Sequence, residues 1–281
     1  QSGFNALGSI LCGDVNPSGR TIDTFVYDLT QTPTANNFGN FTYTNMDEFK
    51  ANAFGTDTIP AFVNYVEGIY VGYKFYETAA AEGLIDYDKT VVYPFGRGLS
   101  YTTFTQTLNS VTEADGTITV DVTVTNTGSA SGKEVVEVYY NPPYTNGGIE
   151  KASANLIGFA KTSELAPGAS ENVTVTFKAE DMASYDTYGK GCYVLEKGDY
   201  VISINADSHT VLDSKVYNVA SDIVYDASNK RESDVEVADN KFDFAEGNVT
   251  YLSRANGFAN YAEATAAPAD FELPAEAKAT F

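Results

Sequence analysis

The sequence contains few residues of the kinds that usually carry out catalysis. Its 281 residues include one histidine, His209, two cysteines, Cys12 and Cys192, and no tryptophan. A Ser-His-Asp triad or a histidine-rich metal site has little to work with in such a chain. His209 lies in the turn sequence 207–210, so we predict an exposed turn residue without a catalytic or ligand role. A disulfide between the two cysteines is possible, but their spacing indicates no cysteine framework.

Carboxylates are therefore the remaining candidates for chemistry, and Glu67 has the most suggestive neighbours. Tyr65 and Tyr70 lie close to it in the sequence, and Gly68 follows it directly.

The overall charge excludes two classes of partner. The chain has 17 Lys and Arg residues against 38 Asp and Glu residues, a formal charge of −21. This charge repels nucleic acids and anionic membrane surfaces. No run of about 18 apolar residues is present, so we expect no membrane span in this chain. An acidic, lysine-poor surface suits a secreted or cell-surface protein, with a cytoplasmic location as the alternative.

The first hundred residues have the pattern of an α/β layer that lacks most of its strands. Only about one and a half strand-and-helix units are present, too few to close a parallel sheet. We predict the back end of a larger domain whose front is missing. The predicted elements are a helix over Gly3–Gly13, a turn over 14–20, a strand over Thr21–Tyr27, a long surface loop over 30–60 and a short helix over Thr78–Gly83.

The stretch Tyr93–Phe104 separates this half from the rest of the chain. It contains Pro94, Gly96 and Gly98, with aromatic residues at both ends. Proline fixes one backbone angle, and glycine adopts angles that are closed to other residues. The stretch therefore predicts a tight, packed domain junction.

Alternating apolar residues follow the junction and predict an all-β unit. Turn signals separate the runs at intervals of roughly 10 residues, which is typical of an antiparallel sandwich. The immunoglobulin Cys-Trp-Cys pattern is missing, which favours the fibronectin type. Tyr200 is expected to be a core anchor rather than a sugar platform. The predicted strands are Thr117–Thr125, Glu134–Tyr140, Leu156–Phe159, Val173–Phe177, Tyr200–Ile204 and Val211–Val219.

The last part of the chain has little periodicity. After about residue 219 the strand pattern ends, and residues 264–279 are rich in alanine and proline. Such a composition predicts an extended arm that lies on another surface.

Three segments give the sequence a resemblance to glycoside hydrolase family 3, the β-glucosidases and related exo-acting glycosidases. They are 13–20 (GDVNPSGR), 65–76 (YVEGIYVGYKFY) and 93–101 (YPFGRGLSY), in the same order and at suitable spacing. The likeness runs from residue 3 to about residue 215. It implies that residues 1–100 are the C-terminal part of an α/β sandwich domain and that residues 101–219 are a fibronectin type III-like sandwich.

The resemblance assigns no catalytic residue to this chain. In the family an aspartate nucleophile lies on a separate (β/α)8 barrel, and a glutamate acid/base lies before the Asn-Pro-Ser-Gly-Arg motif. The resemblance implies no metal or organic cofactor. Glu67 lies beside glycines and aromatic residues that could flank a sugar, but retaining hydrolysis needs two carboxyl groups about 5–5.5 Å apart, one ionised and one protonated. The family does not use this glutamate for that role. We therefore expect Glu67 to be a structural residue, paired with Arg20 or Lys74. Arg20 and Arg97 are expected to hold loops at the junction.

The tail departs from most family members and resembles the connection in a permuted subgroup in which the barrel follows. Residues 220–281 would then lead toward a barrel, with Tyr251–Arg254 as the lead-in. The chain would be an internal piece, and its partners would be the missing barrel and the front of the α/β domain. The intact enzyme would act on terminal sugars of β-linked saccharides or glycosides, whereas this chain alone would be inactive.

Two other functions remain open from the sequence. One is a carbohydrate-binding or adhesion module in which Tyr139, Tyr140 and Tyr144 act as sugar platforms. The other is a structural fibronectin-like spacer of a cell-surface protein.

Overall fold

Two antiparallel sheets pack face to face between Phe104 and Val219. The computed structural model describes residues 3–49, 51–53, 56–238 and 249–279 of the chain. One sheet has three strands in the order β5-β6-β9, and the other has four in the order β13-β12-β7-β8. The strands are β5 (Phe104–Ala114), β6 (Thr117–Asn126), β7 (Val135–Asn141), β8 (Asn155–Lys161), β9 (Ser170–Lys178), β12 (Gly198–Asn205) and β13 (Val211–Val219).

The core of the sandwich is built by the alternation that the sequence shows. Ile118, Val120, Val122 and Val124 of β6 are all fully buried, and they face apolar residues of β7 and β12 across the sheets. The predicted sandwich is confirmed, although the sequence interpretation missed β5. Its register shifts between Leu108 and Ser110 where it pairs with β6, and such an irregularity breaks the period-two pattern by which a strand is recognised.

A third, smaller sheet joins the sandwich to the chain that follows it. It has the order β10-β11-β14, formed by β10 (Ser184–Tyr185), β11 (Tyr193–Leu195) and β14 (Ile223–Tyr225). Tyr225 is buried in the core of the sandwich. Regular pairing therefore extends beyond residue 219, where the sequence pattern ends.

The described residues of the first hundred form short helices and strands, and the sheets among them have two strands each. They comprise α1 (Gly3–Leu11), β1 (Phe25–Val26), β2 (Ala51–Ala53), β3 (Thr56–Thr58), α2 (Tyr73–Ala81), α3 (Tyr87–Thr90) and β4 (Val91–Tyr93). The strand predicted over Thr21–Tyr27 shrinks to β1, because Thr21 bonds instead with the junction loop through its N–H to the Arg97 carbonyl (2.9 Å). The prediction of one long loop over residues 30–60 is wrong in part, because this stretch contains 3-10 helical turns and the β2–β3 hairpin.

Two glycines set the limits of the helix α2. Gly72 precedes it with φ +58°, and Gly83 follows it with φ +76°, both in the region that glycine enters without steric cost. The sequence predicted only its last turn, over Thr78–Gly83. Gly83 ends the helix as predicted, whereas the start lies five residues earlier, at Tyr73.

The helix α1 forms as predicted but has no buried residue. Its apolar side chains Phe4, Leu7 and Leu11 are 78%, 49% and 74% exposed. Ile22, Phe25 and Leu29 of the same half of the chain are exposed as well. A nine-residue helix is marginal in water without an apolar face to pack against, so this half presents an uncovered apolar surface.

The tail supplies core residues to the first half of the chain. The sequence predicts an extended arm, whereas residues 249–279 contain the short helical segments α4 (Ala255–Phe258), α5 (Tyr261–Ala264) and α6 (Ala275–Lys278). Leu252, Phe258 and Ala264 are buried together with Tyr70 and Phe75 in one apolar cluster. The Phe258 ring meets the Tyr70 ring edge-on, with centroids 5.0 Å apart.

A second contact joins the end of the tail to the loop over residues 41–62. The Phe271 ring lies 4.6 Å from that of Phe62 and 5.3 Å from that of Tyr43. The side chain of Asn45 donates to the Leu273 carbonyl and accepts from the Leu273 N–H, each at 2.9 Å. Segments about 228 positions apart therefore close one small core.

Substituting Leu252 by alanine should destabilise the protein by about 2–5 kcal/mol, the usual cost of a buried leucine-to-alanine change. Leu252 of the tail is 3% exposed, whereas Leu29 in the first half of the chain is 75% exposed and offers a matched control. Leu29→Ala should change the free energy of unfolding by about 0.5 kcal/mol or less. Urea unfolding of both variants measures the difference. Equal effects would show that the tail is not part of the core.

Candidate functional site

The arginine of the 13–20 turn joins the two halves of the molecule. The Arg20 guanidinium forms an ion pair with Glu134, just before β7, and its Nε lies 3.9 Å from Glu137 Oε1 in β7. Gln106 Nε2 donates to Glu134 Oε1 at 3.2 Å, and the Tyr139 hydroxyl donates to Glu137 Oε2 at 2.9 Å. Arg20, Glu134 and Glu137 are called the seam cluster below. The expectation that Arg20 holds the junction is confirmed.

The glycines of the junction leave room for this cluster. A Cβ at Gly98 would lie 1.7 Å from Arg20 Nη1, and a Cβ at Gly96 would lie 2.2 Å from Glu137 Oε2. Gly96 also has φ +82°, in the region that favours glycine. The glycines of the motif over 93–101 are therefore explained by the charged side chains that pass directly over them.

The junction is also held through its backbone. Thr21 Oγ1 donates to the Pro94 carbonyl at 2.6 Å and accepts from the Arg97 N–H at 3.0 Å. Asn16 Oδ1 accepts from the Tyr101 N–H at 2.8 Å, and its Nδ2 donates to the Ser131 carbonyl at 2.9 Å. The Arg97 side chain is exposed, with its Cζ 5.8 Å from the centre of the Tyr93 ring. The expectation that its guanidinium holds loops is therefore wrong, because its backbone makes the contacts.

Burial controls the protonation of the seam cluster. It raises the pKa of Glu137 to about 7, against the opposing effects of the Tyr139 hydroxyl and the Arg20 charge. Burial also raises the pKa of Glu134. One guanidinium serves both carboxyl groups, whose side chains are 12% and 5% exposed. A substrate has little access to groups this buried, so the arrangement fits cohesion of the two halves better than catalysis.

A second buried carboxylate, Glu77 of α2, receives the β12–β13 turn. The Ser208 hydroxyl donates to Glu77 Oε1 at 2.8 Å, and His209 Nδ1 lies 2.8 Å from Glu77 Oε2. The Tyr87 hydroxyl donates to Glu77 Oε1 at 2.7 Å. The rings of Tyr87 and His209 are stacked, with centroids 3.6 Å apart. His209 is exposed, as predicted for a turn residue, but the prediction missed that its ring is docked on α2 and Tyr87.

A third carboxylate holds the tail. Glu150 accepts hydrogen bonds from Tyr70, Ser253 Oγ and the Arg254 N–H. Arg254 Nε lies 2.6 Å from Glu82 Oε1 at the end of α2. Its guanidinium also donates to the Lys151 carbonyl at 3.0 Å. The sequence interpretation missed Glu77, Glu82, Glu150 and Arg254, since nothing local to them indicates partners that lie roughly a hundred or more positions away.

Glu67 is buried without the partners expected for it. The residue is 9% exposed, and its Oε2 has no hydrogen-bond partner among the described residues. Arg20 binds the seam cluster instead, and burial lowers the pKa of Lys74, for which the described residues show no ion pair with Glu67. The predicted pairing is wrong, and no second carboxyl group stands opposite Glu67 in the described contacts.

The three tyrosines considered as sugar platforms are engaged in packing. Tyr139 is 1% exposed, and Tyr140 packs near the buried ring of Tyr200 at 6.4 Å. Arg254 lies over the ring of Tyr144 at 4.2 Å. Tyr200 is fully buried, as expected of a core anchor.

Other kinds of site find little support in the described part of the chain. Cys12 and Cys192 are both free. No group of three or more His, Cys, Asp or Glu residues suited to a metal ion occurs within residues 3–49, 51–53, 56–238 and 249–279. Over the same residues, no helix has the length and apolar character that crossing a membrane requires.

Comparisons with known proteins give consistent relatives. Residues 134–208 match the family model of the fibronectin type III-like domain. The chain is 38% identical over 213 residues to β-glucosidase A of Butyrivibrio fibrisolvens, a match that covers 69% of this chain and 23% of the relative. It is 34% identical over 211 residues to a β-glucosidase of Ruminococcus albus, covering 74% of this chain and 19% of the relative.

Solved structures agree with the sequence relatives. β-Glucosidase 3B of Thermotoga neapolitana in complex with α-D-glucose is 31% identical, with a TM-score of 0.65 over 80% of this chain and 28% of that one. The GH3 β-glucosidase of Bifidobacterium adolescentis is 29% identical, with a TM-score of 0.62 over 78% of this chain and 28% of that one. The chain therefore spans well under a third of the length of these relatives.

Adding a methyl group at Gly98 should disturb the seam cluster. Gly98→Ala places a Cβ against the Arg20 guanidinium, and overpacking of this kind costs about 1–3 kcal/mol. Gly19→Ala is the matched control, because nothing lies within 4 Å of a Cβ there. Thermal or urea unfolding measures both. A Gly98→Ala protein as stable as Gly19→Ala would contradict the proposed role of this glycine.

The raised pKa of Glu137 predicts a defined pH dependence. The folded protein holds a proton on Glu137 up to about pH 7, whereas the unfolded chain releases it near pH 4.5. The stability due to this proton is thus fully present below pH 4.5 and is lost as pH rises toward 7. Relative to wild type, Glu137→Gln should gain about 3 kcal/mol between pH 4.5 and pH 8. Parallel pH dependences of the two proteins would refute the shift.

Proposed function

We propose that this chain, which is related to a part of the β-glucosidases of glycoside hydrolase family 3, is a non-catalytic part of a retaining, exo-acting β-glycosidase. The intact protein would remove terminal sugars from β-linked saccharides or glycosides. The observation that carries the proposal is that Glu77 and Glu137, which are buried, and Glu134 and Glu150, which are partly buried, all bind other segments of this chain.

The exposed apolar surface supports a partner for the first half of the chain. Phe4, Leu11, Ile22 and Leu29 are each more than 70% exposed. Large apolar side chains left uncovered in one part of a chain fit an interaction surface. We propose that the front of the α/β domain covers it in the intact protein and that a (β/α)8 barrel completes the enzyme.

The chemistry of such an enzyme would come from groups outside this chain. In retaining hydrolysis one carboxylate attacks the anomeric carbon, and a carboxylic acid protonates the leaving oxygen and then activates water. The residues of this chain would contribute by holding its segments in position. The seam cluster fixes the sandwich on the α/β segment, and the tail closes the core behind it.

A carbohydrate-binding module is the weaker candidate. Sugar platforms need exposed aromatic faces, and Tyr139, Tyr140 and Tyr144 are buried or covered. For location, the formal charge of −21 supports a secreted or cell-surface protein.

Hydrolysis of an aryl β-D-glucopyranoside tests the proposal. The chain alone should release no more phenol than a buffer blank, since both catalytic carboxyl groups are proposed to lie outside it. A longer polypeptide that adds the proposed front and barrel should hydrolyse the substrate. Titration of the chain alone with cellobiose should produce no binding heat. Catalysis by the chain alone would overturn the non-catalytic assignment, and an inactive longer polypeptide would overturn the glycosidase assignment.

A further inference from the structure

The sequence contains two Asn-Gly steps, Asn146-Gly147 and Asn256-Gly257, and the fold brings them into contact. Asn146 Nδ2 donates to Asn256 Oδ1 at 2.8 Å, and the Asn256 N–H donates to Asn146 Oδ1 at 2.7 Å. One step lies in the β7–β8 connection and the other in the tail. We propose that this pair is a site of spontaneous deamidation that is gated by the docking of the tail.

Asn-Gly is the dipeptide best suited to this reaction. The backbone nitrogen of the glycine attacks the asparagine Cγ, a C–N bond forms, and ammonia leaves. Water then opens the five-membered imide at either carbonyl and gives aspartate or isoaspartate. Glycine favours the attack because it has no side chain to hinder the approach and its backbone reaches angles closed to other residues.

The structure distinguishes the two steps. Among the described residues, the Gly147 N–H makes one hydrogen bond, a long one of 3.4 Å to the Tyr144 hydroxyl. A second glycine, Gly148, follows it. The Gly257 N–H donates to the Arg254 carbonyl at 3.1 Å, inside the turn that carries the tail. Both asparagines are exposed, so water reaches either one. Asn146 is therefore the reactive residue, and Asn256 is the protected one.

Docking of the tail restrains the reaction. Both polar atoms of the Asn146 side chain are engaged by Asn256, so the amide must leave this contact before its Cγ can meet the Gly147 nitrogen. The tail is held beside this pair by Arg254, through Glu82 and the Lys151 carbonyl. The rate of deamidation should thus follow the opening of the tail.

The product would hold the tail less well. Deamidation replaces the Asn146 amide donor by a carboxylate oxygen that faces Asn256 Oδ1, so one hydrogen bond becomes a contact between two acceptors. Glu150 and Glu82 hold the same segment of the tail, and another negative charge nearby is unfavourable. The change is irreversible, so the chain would lose tail docking with age.

Peptide mapping of the intact chain tests the site. Incubation at mildly alkaline pH, followed by trypsin, separates Asn146 in peptide 134–151 from Asn256 in peptide 255–278. We expect the exchange of an amide nitrogen for an oxygen at Asn146 well before Asn256. Asn146→Gln should abolish it in the first peptide, because glutamine does not form the five-membered imide. No change at Asn146, or a faster change at Asn256, would overturn the assignment.

Two ion-pair variants test the gating. Glu82→Gln weakens the contact of Arg254 and should accelerate deamidation of Asn146 several-fold. Asp86→Asn removes the exposed Asp86–Lys89 pair, which involves no residue of the tail, and should leave the rate unchanged. Hydrogen exchange over residues 252–265 in Asn146→Asp should be faster than in wild type. Equal rates in both ion-pair variants, or unchanged exchange, would refute gating by the tail.

Discussion

The packing of one arginine and one glutamate over two glycines determines how the halves of this molecule meet. The Arg20 guanidinium passes over Gly98 to reach Glu134, and the carboxyl group of Glu137 fills the space that Gly96 leaves. Removal of one partner from a buried ion pair strands the other charge, which typically costs about 3–5 kcal/mol. The cluster therefore specifies one relative position of the turn, the junction and the sandwich, and the motif over 93–101 is explained by packing rather than by chemistry.

The tail likewise joins segments that are distant in the sequence. Leu252 and Phe258 complete an apolar cluster that the first hundred residues begin, and Arg254 binds α2 and the β7–β8 connection at once. Each half thus depends on segments distant in sequence. This interdependence fits a chain that is related to β-glucosidases over part of their length and that uses Glu77, Glu134 and Glu150 in contacts between segments.

The sequence predicted those features that depend only on residues close together in the chain. The alternation of β6 and the stop at Gly83 follow from side-chain period and glycine angles, and both were readable from the sequence. The strand β5 was missed because its irregular register breaks the period, and the start of α2 was missed because Gly72 interrupts an apolar run. The attachment of Glu77 to His209 was not predictable, since those residues are 132 positions apart and neither has a local signal for the other. Arg20 was predicted to hold the junction, but its partners were visible only in the fold.

The central claim is that the seam cluster serves cohesion, and a double-mutant cycle on Arg20 and Glu134 tests it most directly. Arg20→Gln, Glu134→Gln and the double variant would be compared with wild type by urea unfolding. The account predicts a coupling energy of about 1–3 kcal/mol, in the range found for contacting charged residues. A coupling indistinguishable from zero would contradict the claim that this pair holds the two halves together.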